Sequence, residues 1–197
     1  MEFFDDIFAG WSFELGKEVS KKNFTQLLTI LDASGILKIN TIAINITNQP
    51  FHSIDRTSEL FIECFEEGMN LSLSGTTAIQ TESDNKMFDE AISFLYEPKL
   101  SLISIDTYTD AWMPIGYLNE TLQVDCGVAN SKKLKGVLKQ ISRLSFIKKI
   151  DPAEEEYFHD YMVHQIGFSL FYKRNIENIK GLVDSDYGKV APFILSS

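Results

Sequence analysis

Histidines and carboxylates are the residues of this chain whose types and spacing suggest chemistry, because imidazole serves as an acid–base group and as a metal ligand. Glu155 lies four residues before His159, and Glu156, Asp160 and His164 repeat this spacing. On a helix, groups four residues apart lie on one side, where they can hold a divalent cation. His159 and His164 are five positions apart, roughly 140° around a helix, so they do not share a face as in zinc proteases. We therefore predict an exposed, charged helix without a metal site or a catalytic residue.

Other catalytic patterns are missing from the sequence. It contains neither a Gly-x-Ser-x-Gly nucleophile elbow nor a glycine-rich phosphate loop. Residues 73–77 are interpreted as an ordinary turn after a strand. Asp184 and Asp186 lie between Gly181 and Gly188, which favours a solvated turn over a cation site. We expect no cofactor.

Cysteine usage and hydropathy bear on the compartment. Cys64 and Cys126 lie in apolar surroundings, which is typical of buried free thiols in a reducing compartment. The first residues, 1–8, carry acids where a secretion signal needs bases, and no apolar stretch reaches the ~20 residues of a membrane span. We predict a cytoplasmic protein without a membrane partner.

Negative charge is concentrated in the first half of the chain. Residues 1–100 hold 16 acids and 7 bases, whereas residues 101–197 hold 12 acids and 11 bases. Complementary charge steers association, so the acidic half is expected to attract a basic protein partner. The residues predicted to contact this partner are Asp5, Asp6, Glu59, Glu63, Glu66 and Glu67.

Basic residues form a run in the second half, from Lys132 to Lys149. Four of them, Lys132, Lys135, Lys139 and Arg143, lie on one stripe of a predicted amphipathic helix. This stripe is interpreted either as a solvated face or as a docking patch for an acidic protein or nucleic acid. The formal net charge of −10 argues against a protein that coats nucleic acid, and we do not expect a nucleic-acid partner.

The elements that position these residues follow from hydrophobic periodicity. Helices are predicted over residues 20–31, 54–67, 87–96, 131–144 and 151–165, with a short amphipathic helix formed by Phe4, Phe8 and Trp11. Strands are predicted over residues 36–47, 69–74, 100–108, 122–128 and 168–172, and residues 75–86 are predicted to form a loop. The order of these elements predicts one α+β domain spanning residues 1–197. Its sheet is expected to be mainly antiparallel, with about five to six strands and helices packed on one face.

One segment resembles a known group of proteins. Residues 107–114, Thr-Tyr-Thr-Asp-Ala-Trp-Met-Pro, precede a strand pattern and then Ala129-Asn130-Ser131-Lys132-Lys133-Leu134, which opens the basic helix. This arrangement, over about residues 99–145, resembles small bacterial α+β immunity proteins, which are encoded beside polymorphic or contact-dependent toxins. The resemblance implies an inhibitor that binds one toxin domain without a cofactor. In structural terms, Trp112 is expected to anchor the core and Pro114 to form a bend between two strands.

Three functions remain open from the sequence. The first is an immunity protein that neutralises a toxin by direct protein–protein binding. The second is a small enzyme whose site combines His159 and His164 with neighbouring acids, or Asp106 with Asp110. The third is an accessory or scaffold subunit with an exposed apolar patch at residues 3–13. The oligomeric state does not follow from the sequence.

Overall fold

The computed structural model describes residues 8–16, 19–45, 52–54, 65, 68–81, 84–89, 91–108, 111–112, 115–116, 121–153, 161–164, 167–170 and 184–190. The helices in these ranges are α1 (Lys21–Ala33), α2 (Val124–Ile141) and α3 (Asp184–Val190). The strands are β1 (Phe8–Leu15), β2 (Lys38–Asn45), β3 (His52–Ile54), β4 (Asn70–Gln80), β5 (Asn85–Asp89), β6 (Ile92–Glu97), β7 (Leu102–Tyr108), β8 (Ile115–Gly116), β9 (Thr121–Leu122), β10 (Ile147–Ala153), β11 (Tyr161–His164) and β12 (Gly167–Leu170).

Eight of these strands form one antiparallel sheet. Its order is β10–β1–β7–β6–β4–β2–β3, and β5 pairs with the far half of β4. The pairs β8–β9 and β11–β12 form two small separate sheets. The prediction of an α+β fold with a mainly antiparallel sheet is therefore confirmed.

Apolar side chains alternate along the long strands and share one side of the sheet, which we call the inner face. One row across this face, given in strand order, is Trp11, Ile105, Phe94, Leu73 and Ile42. Each of these side chains is at most 2% exposed. Burying one such side chain contributes about 1.5–3 kcal/mol, so the row accounts for much of the stability of the sheet.

Helices α1 and α2 cover the inner face. Helix α1 begins at Ser20, whose hydroxyl accepts a hydrogen bond from the backbone N–H of Asn23 at 3.2 Å, and it ends before Gly35 at φ +64°. This confirms the helix predicted over residues 20–31. The core side chains that the two helices contribute are Phe24, Leu27 and Leu31 from α1 and Leu134, Val137, Leu138 and Ile141 from α2.

Strands β5 and β6 are two parts of one long partner of β4. Thr76 pairs with Asp89, and Leu73 pairs with Phe94, so the partner strand carries two extra residues between these pairs. The chain bends at Ala91, between the two strands. On β4, Gly75 lies at the same level, and a Cβ there would collide with the Lys38 carbonyl oxygen. The close approach of β2 and β4 therefore requires glycine at this position.

Several predicted elements have the wrong type. The helix predicted over residues 87–96 is strand at residues 87–89 and 92–96, where β5 and β6 pair with β4. The strand predicted over residues 122–128 is mostly the first part of α2, and Ser131 is a buried residue within that helix rather than its N-cap. The loop predicted over residues 75–86 is largely strand, since β4 continues to Gln80. Short apolar runs fit both periods, and the sheet decides between them.

The two ends of the described chain also differ from prediction. The aromatic N-terminal segment is strand from Phe8 onward, and Trp11 and Phe13 are completely buried. They therefore do not contribute to the exposed apolar patch expected of a scaffold subunit. Asp184 and Asp186 begin helix α3 instead of forming a turn.

Candidate binding surfaces

The acids predicted to contact a partner lie outside the described residues: Asp5, Asp6, Glu59, Glu63, Glu66 and Glu67. Their role stays a prediction. His159 and Asp110, which are candidates for an enzyme site, also lie outside the described residues. His164 lies on strand β11, and Asp151 lies on strand β10, so the helical ladder predicted over residues 151–165 does not form at either end. Within the described ranges, no three His, Cys, Asp or Glu side chains lie close enough to hold a metal ion.

Trp112, in the segment that resembles immunity proteins, is a core residue. Trp112 is completely buried, and its indole Nε1 donates a hydrogen bond to the hydroxyl of Thr107 at 2.7 Å. That hydroxyl donates in turn to the carbonyl oxygen of Ala91 at 2.7 Å. The relay connects Trp112, which follows β7, to Ala91 between β5 and β6. Trp112 is thus the expected core anchor, while Pro114 lies outside the described residues.

Polar side chains on the sheet-facing side of α2 hold the helix against β4. Asn130 is buried and makes two hydrogen bonds with the backbone of Gln80, accepting at 2.9 Å and donating at 3.0 Å. The Lys133 ammonium donates to the carbonyl oxygens of Gly35 at 3.1 Å and Ala78 at 2.6 Å. Burial lowers the pKa of Lys133. These contacts connect α1, β4 and α2, and we interpret them as structural.

The opposite side of the sheet, which we call the outer face, carries mostly small polar residues. A continuous row crosses seven strands at the level of Asp151, Ser12, Ser104, Leu95, Ser72, Ala43 and Ser53. The six side chains from Asp151 to Ala43 are neither fully buried nor fully exposed. Leu95 is the central residue of this row and its one large apolar side chain.

Charged residues border the outer face where β1 pairs with β10. Lys148 forms an ion pair with Glu14 at 3.0 Å, and Lys149 forms one with Asp151 at 2.6 Å. The hydrogen bond to Asp151 is the main reason that the pKa of Lys149 is raised. These pairs are exposed and contribute little to stability, but they place both signs of charge at one edge of the face.

The dimensions of the outer face suit a macromolecule. Seven strands at a spacing of ~4.8 Å extend about 29 Å, and seven residues along a strand extend about 23 Å. The product, on the order of 700 Å², is close to the ~800 Å² that one partner contributes to a standard protein–protein interface. Small-molecule sites, in contrast, are concave and mainly apolar. The outer face is therefore a candidate surface for a protein.

A second candidate surface lies on α2 and the turn that follows it, on the side away from the sheet. We call it the cationic stripe: Lys132, Lys135, Lys139 and Arg143. Lys132, Lys139 and Arg143 are exposed, and Lys135 is partly buried. Lys132, Lys135 and Lys139 lie within roughly 60° around α2, and Arg143 lies in the turn two residues after its last residue, Ile141. The stripe predicted from the sequence is therefore present on the surface of the molecule.

Sequence reasoning missed the outer face, although the pattern that encodes it is visible. In β4, Ser72, Ser74 and Thr76 alternate with buried Leu71 and Leu73. This alternation predicts a sheet with one exposed face. The pairing register places Ser12 and Ser104 in the same row as Ser72, and this alignment does not follow from the sequence of β4 alone.

Comparisons with known proteins do not identify a relative. No protein-family model, no curated protein and no solved structure matches the chain. A function therefore has to be inferred from the surfaces of the molecule itself. None of the helices in the described ranges has the length and apolar character needed to cross a membrane.

Proposed function

We propose that the chain is a cytoplasmic binding protein that inhibits a partner protein by direct contact, as immunity proteins of bacterial toxin systems do. The observation that carries this proposal is the outer face of the sheet, whose central row is partly exposed and which neither α1 nor α2 covers. It presents a row of small polar side chains across seven strands, while α1 and α2 occupy the inner face. A surface of this size is suited to covering another protein.

The construction of the face supports inhibition by binding. The buried apolar row on the inner side fixes the strands, so the outer residues are held in place before a partner arrives. Such preorganisation lowers the entropic cost of association. Leu95, central and partly exposed among serines, provides an apolar contact within a polar surround, which is the usual anatomy of an interface centre.

The partner is proposed to be basic. Glu63, Glu66 and Glu67 belong to the acidic half of the chain, and their charge would accelerate association with a positively charged toxin domain. Reversing all three to Lys is expected to slow association at low salt and to leave the melting temperature nearly unchanged. Unaltered association kinetics would count against this part of the proposal.

The test of the function is a rescue experiment. The chain is co-expressed with the product of the gene immediately upstream of its own, under conditions in which that product alone stops growth. The proposal expects growth to be restored and the two proteins to co-purify. Absence of rescue would overturn it.

Two leucine variants locate the contact surface in the same experiment. Leu95→Arg introduces a large charged side chain at the centre of the outer face and is expected to abolish rescue. Leu100→Arg is the matched control, because Leu100 is 67% exposed and lies in the turn between β6 and β7, outside the row. Rescue by both variants would exclude the outer face, provided that both melt close to the wild type.

A further inference from the structure

We propose that the cationic stripe of α2 is a second docking surface, and that it binds an acidic α-helix of a protein partner. The stripe lies on the side of α2 away from the sheet, whereas the outer face lies on the far side of the sheet. The two surfaces therefore do not overlap. This inference does not depend on the proposed inhibition of a toxin.

Three charges of the stripe are exposed on the surface. Lys132, Lys139 and Arg143 are exposed, and no described residue forms an ion pair with any of them. Nearby cations of the same fold differ in this respect. Lys148 pairs with Glu14, Lys149 with Asp151, and Lys189 with Asp125. Lys132, Lys139 and Arg143 are thus three cations of the stripe that the described part of the molecule leaves without an ion pair.

A glycine on the same side of the helix permits close approach. Gly136 is exposed one turn after Lys132, and a Cβ placed there would meet no atom within 4 Å. Internal packing therefore does not require glycine at this position. A mid-helix glycine costs about 1 kcal/mol relative to alanine. What Gly136 provides is a gap in which the backbone of a second helix can pack closely.

The spacing of the charges favours a helix over a nucleic acid. Lys132, Lys135, Lys139 and Arg143 repeat at intervals of three and four residues, which carboxylates at the same intervals on an opposing helix can match. A nucleic acid carries a phosphate charge on every nucleotide, so its parts beyond the stripe would meet a chain with a net charge of −10, whereas a helix can carry its carboxylates opposite the stripe alone. Repulsion over the ~8 Å Debye length would oppose binding of the nucleic acid.

The experiment uses the full chain and a defined probe. The probe is a fluorescein-labelled helical peptide of about 20 residues, long enough to hold a helix in water, with Glu on one face at the spacing of the stripe. Fluorescence anisotropy measures its binding at low and at physiological ionic strength. Reversal of Lys132, Lys139 and Arg143 to Glu is expected to weaken binding by about tenfold or more.

Two further variants separate docking from diffuse attraction. Lys22, Lys86 and Lys99 are exposed lysines outside α2, and their reversal to Glu changes the net charge equally. This control is expected to alter affinity by less than about twofold. Gly136→Leu keeps the charge but fills the gap, and it is expected to weaken binding about fivefold while the helix remains intact.

Three outcomes would overturn the proposal. The first is equal loss of binding in the control and stripe variants, which would indicate attraction by net charge alone. The second is stripe-dependent binding of an RNA or DNA oligonucleotide in preference to the peptide. The third is stripe-dependent self-association in analytical ultracentrifugation, which would make a second copy of the chain the occupant.

Discussion

The two sides of helix α2 carry the same residue types in opposite roles. On the side facing β4, Lys133 donates to two backbone carbonyls, and Asn130 is matched to the backbone of Gln80. On the outer side, the neighbouring Lys132 is exposed and forms no ion pair with any described residue. Two consecutive lysines are thus separated into a structural group and a surface group by their position around one helix.

Glycines show the same contrast. Gly75 lies where β2 and β4 approach closely, and a Cβ would collide with backbone atoms of Lys38. Gly136 lies on the outer side of α2, and a Cβ would meet nothing. The atoms around each glycine, and not the residue type, therefore show whether the fold requires it.

The largest expected effect is at Gly75. Gly75→Ala places a methyl group against the Lys38 carbonyl, with 2.8 Å to its carbonyl carbon and 2.9 Å to the Cα of Ile39. Backbone atoms cannot move aside as a flexible side chain can, so the strands must separate. We expect a loss of about 3 kcal/mol in the free energy of unfolding, measured by urea denaturation. A loss below about 1 kcal/mol would show that β2 adjusts, and that the two glycine sites differ less than proposed.

A smaller effect is expected at Lys133. Lys133→Met keeps the aliphatic length but removes the hydrogen bonds to Gly35 and Ala78, which should cost about 1–2 kcal/mol at neutral pH. Lys132→Met is the matched control on the outer side and should change stability by less than about 0.5 kcal/mol. Equal losses in the two variants would remove the contrast between the sides of α2.

The pH dependence of the free energy of unfolding, compared between the wild type and Lys133→Met, sharpens this test. Burial lowers the pKa of Lys133 from its ordinary value of 10.5, so the unfolded chain binds more protons than the folded chain between the two values. Stability contributed by this group therefore rises with pH in that window. The advantage of the wild type over Lys133→Met should be larger near pH 10 than at neutral pH. Urea denaturation at both pH values measures it, and a smaller advantage at the higher pH would contradict the sign.

Sequence reasoning succeeded where one periodicity dominates a segment. Helix α1 and strand β7 were predicted because their apolar residues fit a single period, and the Ser20 cap marks the start of the helix. It failed for residues 87–96, where Ile92 and Phe88 also fit a helical spacing. Pairing with both β4 and β7 makes this segment a strand, and such long-range pairing is not encoded locally.

The candidate surfaces were predictable to different degrees. The cationic stripe needed only the helical period and a run of bases from Lys132 to Arg143. The outer face could not be assembled from sequence, because its row joins residues as distant as Ser12, Ser72 and Asp151. The role of Lys133 was also hidden, since a lysine within a basic run gives no sign that it reaches the carbonyls of Gly35 and Ala78.

The smallest expected effect, and the one opposite in sign, is at Gly136. Gly136→Ala adds a methyl group to open space in the middle of α2, so it removes the backbone entropy cost of glycine without creating a clash. We expect a gain of about 1 kcal/mol, which thermal and urea denaturation can both resolve. The same chemical change, Gly to Ala, would then destabilise the molecule at Gly75 and stabilise it at Gly136. If Gly136→Ala instead destabilises the chain, this outer position is under a structural constraint, and its glycine does not serve the approach of a partner helix.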